Sequence, residues 1–311
     1  MAQTPLSPPI LSASVSPPPI AFAAGLSAYL IWGVIPLVFQ VIGSYGIGPW
    51  ETLAHRTFWA IPVAWLFVWM AGQSAQALAV FRRPKVLALL ALSALLIAVN
   101  WLVFIWAVNN GKVLQTSLGY FINPLLSMAA GAIFFRERLD RIAQAAIGLA
   151  AVGVVFQAVA IGGLPWVSLT LAASFCGYAI VRKQVEADAQ TGLFIECLLL
   201  GVPGAVFALW LAQTGGDHFT QGVAPAAWLI FSGAATAIPL VLFAWAARRL
   251  PLSAMGFMQF LAPSMTFVLG VVQGEALGLT KIAAFAFIWA GVGVFAYGLW
   301  RASRRLPAPV V

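Results

Sequence analysis

Long apolar runs recur along this chain from residue 20 to residue 300, broken by short polar or Gly/Pro-containing connections. A bilayer core about 30 Å thick is crossed by roughly 20 residues of helix. Runs of about that length lie at 21–42, 51–71, 86–107, 114–134, 141–160, 165–182, 191–212, 226–247, 253–272 and 281–300. The pattern predicts an all-α integral membrane protein with ten transmembrane helices. Only the connections around 72–85, 183–190 and 213–225 are longer than a few residues, so no room remains for a soluble domain.

The pattern also repeats. Residues 104–124 read FIWAVNNGKVLQTSLGYFINP, and residues 243–263 read FAWAARRLPLSAMGFMQFLAP. At an offset of 139, Phe104, Trp106, Ala107, Phe121 and Pro124 fall on Phe243, Trp245, Ala246, Phe260 and Pro263. Pro62 pairs with Pro203, Gly153 with Gly293, Glu137 with Glu275 and Gly33 with Gly177, all at nearby offsets. Spans 1–5 therefore map in order onto spans 6–10. Because five is odd, the second copy must enter the bilayer from the opposite side, the inverted build of many transporters. The expected organisation is a first five-helix repeat over 21–160 and a second over 161–300.

Composition agrees: 62% of residues are apolar and 8% charged, against about 25% charged in soluble domains. The net charge of +8 is an orientation signal rather than a nucleic-acid surface. With both ends inside, 13 of the 16 basic residues collect on one face, among them Arg82, Arg83, Lys85, Arg136, Arg138, Arg182, Lys183, Arg248 and Arg249. Short loops rich in Lys and Arg stay cytoplasmic, so both termini are expected inside a bacterial inner membrane. The polar hairpin Asn109-Asn110-Gly111-Lys112 becomes Arg248-Arg249-Leu250-Pro251 in the second copy, as inversion requires. Residues 1–20 are Pro/Ser-rich and uncharged. They lack the basic start of a signal peptide and are expected to form a disordered cytoplasmic tail. Residues 301–311 form a short basic tail.

The chain resembles the drug/metabolite transporter superfamily with two EamA-type units, and most closely its RarD group of permeases. The likeness is carried by GLSAYLIWGVIPLVFQ (25–40), ETLAHRTFWAIP (51–62), NWLVFIWAVNNGKVLQTSLGYFINPL (100–125), FFRERL (134–139), VRKQVEADAQTGLFIE (181–196) and FAFIWAGVGVF (285–295). It covers about residues 20–300. The resemblance implies ten helices, an inner-membrane location, and export or exchange of a small drug or metabolite. The group is linked by name to chloramphenicol sensitivity; the resemblance does not supply the substrate.

Polar groups inside a membrane cost free energy unless partnered, so they are the candidate solute-binding residues. Glu51, His55 and Arg56 sit near the start of span 2. Arg56 reads either as an outer-interface anchor paired with Glu51 or as a cavity-facing cation that attracts substrate. At the offset of 141, His55 falls on Glu196 in span 7. Glu196 reads either as a carboxylate snorkelling toward Arg182 and Lys183 or as a desolvated carboxyl that carries a proton. His55 and Arg56 are thereby placed near one mouth and Glu196 near the other. Asn100, Tyr120, Asn123 and Gln259 lie mid-span. Pro124 and Pro263 are expected helix breaks at equal depth in the two copies, although Asn and Gln also serve simply to bond neighbouring helices. Trp32, Trp59, Trp101, Trp106, Trp245 and Trp289 suit either an aromatic pocket or an interfacial belt. The runs GLAAVG (148–153) and AGVGVF (290–295) permit close helix approach, within one copy or across a homodimer.

No Walker loop, HExxH or GxSxG occurs, and the two cysteines have no metal-ligand spacing. No cofactor or metal is implied, and ATP-driven pumping and the commoner hydrolytic mechanisms lack their parts. The expected partners are a small-molecule substrate, the lipid bilayer and, for coupling, protons. An intramembrane enzyme and a channel or structural protein remain alternatives. Against the enzyme, Glu51, His55 and Glu196 are expected near opposite faces, and neither a channel nor a structural protein needs a duplicated inverted unit.

Overall fold

The computed structural model describes residues 19–135, 141–247, 249–250 and 258–305. Among them the regular elements are helices: α1 Pro19–Ser44, α2 Pro49–Met70, α3 Ser74–Val80, α4 Pro84–Asn109, α5 Val113–Phe135, α6 Arg141–Ile161, α7 Trp166–Gln184, α8 Ala189–Thr214, α9 Val223–Ala247, α10 Leu261–Val272 and α11 Leu279–Arg305. A single 3₁₀ turn, Phe219–Gln221, interrupts the connection from α8 to α9.

Among the described residues, six segments are long and apolar enough to cross a membrane: Pro19–Ser44, Pro84–Asn109, Arg141–Ile161, Ala189–Thr214, Val223–Phe243 and Leu279–Gly298. Trp166–Arg182 and Leu261–Val272 are shorter apolar helices. The apolar runs and the helices coincide to within a few residues, except before α10. There residues 251–257 lie outside the described residues, and Gln259 and Phe260 form a turn directly ahead of the helix.

One expectation needs correction. Pro19 and Ile20 open α1 instead of closing a disordered tail, because proline in the first turn gives up an N–H that has no helical acceptor anyway. Arg301–Arg305, the start of the expected basic tail, continue α11. Residues 1–18 and 306–311, and with them the remainder of both expected tails, lie outside the described residues. So do Glu137, Arg136, Arg138 and Arg248. The connection at 72–85 contains the short α3, which hydropathy alone did not reveal.

Pairwise packing builds the bundle. α2 packs on α8 and α9, α1 on α9 and α10, α4 on α7 and α8, α5 on α7 and α10, and α6 on α11. Glycine permits the closest approaches. A Cβ at Gly233 of α9 would collide with the Trp59 carbonyl carbon. One at Gly201 or Gly204 of α8 would come within 3.0 Å of the α2 backbone at Phe58 or Ala54. Small residues are the usual means of bringing backbones together in lipid, where the hydrophobic effect between helices is weak. α2 is thereby clamped between α8 and α9, which carries its polar side chains into the interior.

The exterior is aliphatic and aromatic: Val155, Val159, Val206, Leu209, Trp210, Val268 and Val272 are all exposed. The interior holds Glu51, His55, Arg56, Ser93, Asn100, Asn123 and Glu196. This distribution suits a hydrocarbon surround and a polar centre. Pro36, Pro62, Pro124, Pro203 and Pro239 each lie inside a continuous helix.

Candidate functional site

The polar interior divides into three clusters, each joining elements distant in sequence.

The first lies at the start of α2, under the connection from α8 to α9. The Glu51 carboxylate accepts the backbone N–H of His218 at 2.7 Å and pairs with its Nδ1 at 2.8 Å. Phe219 stacks on His55, with ring centroids 4.9 Å apart at 9°, and on Trp59 at 6.0 Å and 20°. Asp217 fixes the turn by accepting from the Thr220 backbone N–H and hydroxyl. Glu51 is therefore not the partner of Arg56, and the expected anchor pair does not form. His55 keeps its place beneath the cap, its Nδ1 without a hydrogen-bond partner among the described residues.

The second cluster surrounds Arg56, one residue further along. This guanidinium is 5% exposed and donates from Nε to the Thr236 hydroxyl of α9 at 2.7 Å. Its carbon lies 4.1 Å from the Trp101 ring centroid and 5.1 Å from that of Phe39. Such contacts stabilise a cation by about 0.5–2 kcal/mol each. Nη1 has no partner among the described residues. The reading of Arg56 as an interfacial anchor is overturned, because its head is enclosed by helices and does not reach water. Tyr120, within electrostatic range of Arg56, donates to Asn100 Oδ1 at 3.1 Å. Asn100 in turn donates to the Leu171 carbonyl at 2.9 Å and to Ser174 at 3.0 Å on α7. Arg56, Tyr120 and Asn100 are thus brought together, with Phe104 packed between Phe39 and Tyr120.

The third cluster holds Glu196, 3% exposed. Its carboxylate accepts from Ser93 of α4 at 2.5 Å and from Tyr178 of α7 at 3.3 Å, and lies 3.6 Å from Arg182 Nε. Arg182, the partner that the snorkelling alternative names, is present, but the pair forms inside the bundle. The cation comes in from α7 to a buried carboxylate, and the carboxylate does not reach out to the loop. Gly192 makes room for it, since a Cβ there would collide with Arg182 Nη1.

The remaining candidates stand apart from these clusters. Asn123 is buried on α5, its Oδ1 unpartnered among the described residues. Pro124 follows it inside α5, which continues through it. Pro263 occupies the first turn of α10, where its missing N–H costs no helical bond, and its carbonyl accepts from Ser117 at 2.8 Å. Gln259 lies in the turn before α10. The two prolines therefore differ, one inside a helix and one just after a turn. A cleft of about 550 Å³ opens at the far end of α2, lined by Met70, Ala71, Gln73, Gln190, Trp245 and Arg249, away from Arg56.

Sequence reasoning missed Ser93, Tyr178, Thr236, His218 and Phe219 as site residues. One signal for the first was available: Leu90 and Ser93 recur as Leu229 and Ser232 at the same offset of 139. Both serines are fully buried and bond the carbonyl three residues back. Nothing in the local pattern pointed to His218 or Phe219.

A bundle of apolar helices that is greasy outside and buries charged groups between its helices is a multi-pass membrane protein with a polar interior suited to a solute. Comparison with known proteins assigns it more closely. The EamA-like transporter family model matches residues 19–158. Protein RarD of Salmonella typhi is 41% identical over 272 residues, spanning 87% of this chain and 92% of that protein. Protein RarD of Escherichia coli K12 is 39% identical over 282 residues, spanning 90% and 95%. The chloramphenicol-sensitive protein RarD of Pseudomonas aeruginosa is 31% identical over 250 residues, spanning 78% and 82%. One solved crystal structure has the same fold, with a TM-score of 0.59 at 19% identity over 91% of this chain and 98% of that one. The chain belongs to the EamA-like transporter family, as a membrane permease of the RarD type.

Proposed function

We propose that the protein is a secondary transporter of the bacterial inner membrane that exports or exchanges a small drug or metabolite by alternating access. In this reading ten helices, α1, α2 and α4–α11, form two inverted five-helix repeats with both termini cytoplasmic. The observation that carries it is the helix pairing. Exchange α1, α2, α4, α5 and α6 with α7, α8, α9, α10 and α11. The pairs α1–α9 and α2–α9 become α7–α4 and α8–α4, α5–α7 becomes α10–α1, and α2–α8, α5–α10 and α6–α11 map onto themselves. An inverted duplication gives this exchange symmetry, and it lets one half rock against the other about a central site. The family match over 19–158 fits the limits of one such unit.

In this mechanism Arg56, Tyr120 and Asn100 form the central site, with Asn123 and Gln259 on the neighbouring α5 and in the turn before α10. Phe219 and the Glu51–His218 pair close the outer mouth over His55. Glu196 and Arg182 hold the inner side, where Glu196 is the group suited to taking a proton if transport is proton-coupled. No step requires a covalent intermediate, so the protein works as a carrier and not as an enzyme.

The test is flux in proteoliposomes. Solutes are first selected by comparing extracellular metabolites of deletion and overexpression strains. A carrier shows saturation and trans-stimulation, and Arg56→Gln or Glu196→Gln lowers the saturable component. Linear flux without trans-stimulation would point to a channel, and unchanged saturable flux in both variants would remove these residues from the site. Single-cysteine labelling at each terminus tests the orientation, and cross-linking in membranes tests for a homodimer.

A further inference from the structure

We infer that Arg56 is the docking point for a carboxylate, so that the solute carried is a small organic anion with an apolar body. The inference rests on the permease reading and adds to it the chemical class of the substrate.

The first ground is an unbalanced charge. Arginine stays protonated in proteins, and a buried charge is costly unless paired. Each buried acid of the described interior is already engaged: Glu51 by His218, Asp217 by Thr220, and Glu196 by Ser93, Tyr178 and Arg182. Among the described residues no carboxylate lies within salt-bridge distance of Arg56, and its partners are one hydroxyl and two aromatic faces. These hold the guanidinium in place yet leave Nη1 without an acceptor. A planar fork with an unfilled donor is suited to a carboxylate, which can accept two parallel N–H bonds.

The second ground is that the repeat does not need the charge. At the offset of 141, Arg56 corresponds to Cys197, and at the offset of 139 Thr236 corresponds to Ile97. Both counterparts are buried and apolar. The same helix positions in the other copy therefore pack without an ion, and the Arg56–Thr236 pair is an addition to one half.

The third ground is the surround. Phe39 and Trp101 face the guanidinium, and Phe104 packs behind Phe39 against Tyr120. Their rings offer apolar surface to the rest of a solute whose anionic end is at Arg56. A neutral amide would leave the arginine uncompensated, and a cation would meet like charge.

The test uses the purified full chain in detergent micelles and three acid–amide pairs: benzoate and benzamide, phenylacetate and phenylacetamide, hexanoate and hexanamide. A ligand that binds only the folded state raises the unfolding midpoint with concentration. At least one carboxylate is expected to do so saturably while its amide does not. Arg56→Gln should lower that affinity by roughly tenfold or more, as truncating a charged partner does. Arg56→Lys, which keeps the charge and loses the fork, should lower it less. The wild-type acid–amide comparison decides the matter even if both variants misfold. Equal shifts from acids and amides, no shift from any carboxylate, or full affinity in Arg56→Gln would each overturn the inference. Saturable, trans-stimulated flux of a neutral or cationic solute that Arg56→Gln leaves unchanged would overturn it while leaving the permease reading intact. Absence of saturable flux for every selected solute would instead remove that reading.

Discussion

Gly192 sits on α8 one turn before Glu196, and replacing it with alanine separates two opposing effects at the inner charge cluster. The added methyl would collide with Arg182 Nη1 and Cζ. Those atoms are the far end of a flexible side chain, so the steric clash is relieved by swinging the guanidinium away. The swing takes Arg182 from Glu196, which it approaches at 3.6 Å. Breaking a buried ion pair from one side costs about 3–5 kcal/mol. Arg182 retains 16% side-chain exposure, which places the cost at the lower end, and two hydroxyl donors remain on the carboxylate. Alanine in place of glycine inside a helix returns about 0.5–1 kcal/mol. The net expectation is a loss of about 2 kcal/mol. The assay is chemical or thermal unfolding in detergent, run as a double-mutant cycle with Glu196→Gln. Once the carboxylate charge is gone, Gly192→Ala should become neutral or slightly stabilising. An equal loss in both backgrounds would refute the electrostatic account and leave a purely steric one.

Two further outcomes follow from the connections. Phe219→Ala removes two ring pairs, each worth about 0.5–1.5 kcal/mol, from above His55 and Trp59. Modification of His55 by diethyl pyrocarbonate, read by mass spectrometry, should then rise roughly tenfold, and an unchanged rate would mean that the turn does not cover it. Glu275 lies between α10 and α11 and accepts the N–H groups of Val113 and Leu114 at the start of α5. Glu275→Gln should cost about 1 kcal/mol, as losing a helix cap does. Burial pushes the Glu275 carboxyl above its ordinary value, against the downward pull of those two N–H groups and Lys281. The folded state therefore binds the extra proton in the window just above the usual carboxylate range, and this group's contribution to stability falls as pH rises through it. Glu275→Gln should flatten that slope, and a variant with an unaltered pH profile would show that another group sets it.

The sequence by itself determined where the helices lie, because a 20-residue apolar run has few alternatives in a bilayer. It also marked the polar residues worth watching, since Arg56, Asn100 and Glu196 stand out against a 62% apolar background. Ser93 did not stand out in this way, although the offset of 139 relates it to Ser232. Only the tertiary structure decided which of these groups meet. Glu51 is held by His218, 167 residues away, and not by its helical neighbour Arg56. Glu196 takes its hydroxyl from Ser93, 103 residues earlier. The physical reason is that hydropathy measures how gladly a segment leaves water and is nearly blind to which face it turns inward. Helix rotation was set by glycine contacts such as Gly233 on Trp59, and those rotations put one arginine among aromatic rings with a donor still unfilled.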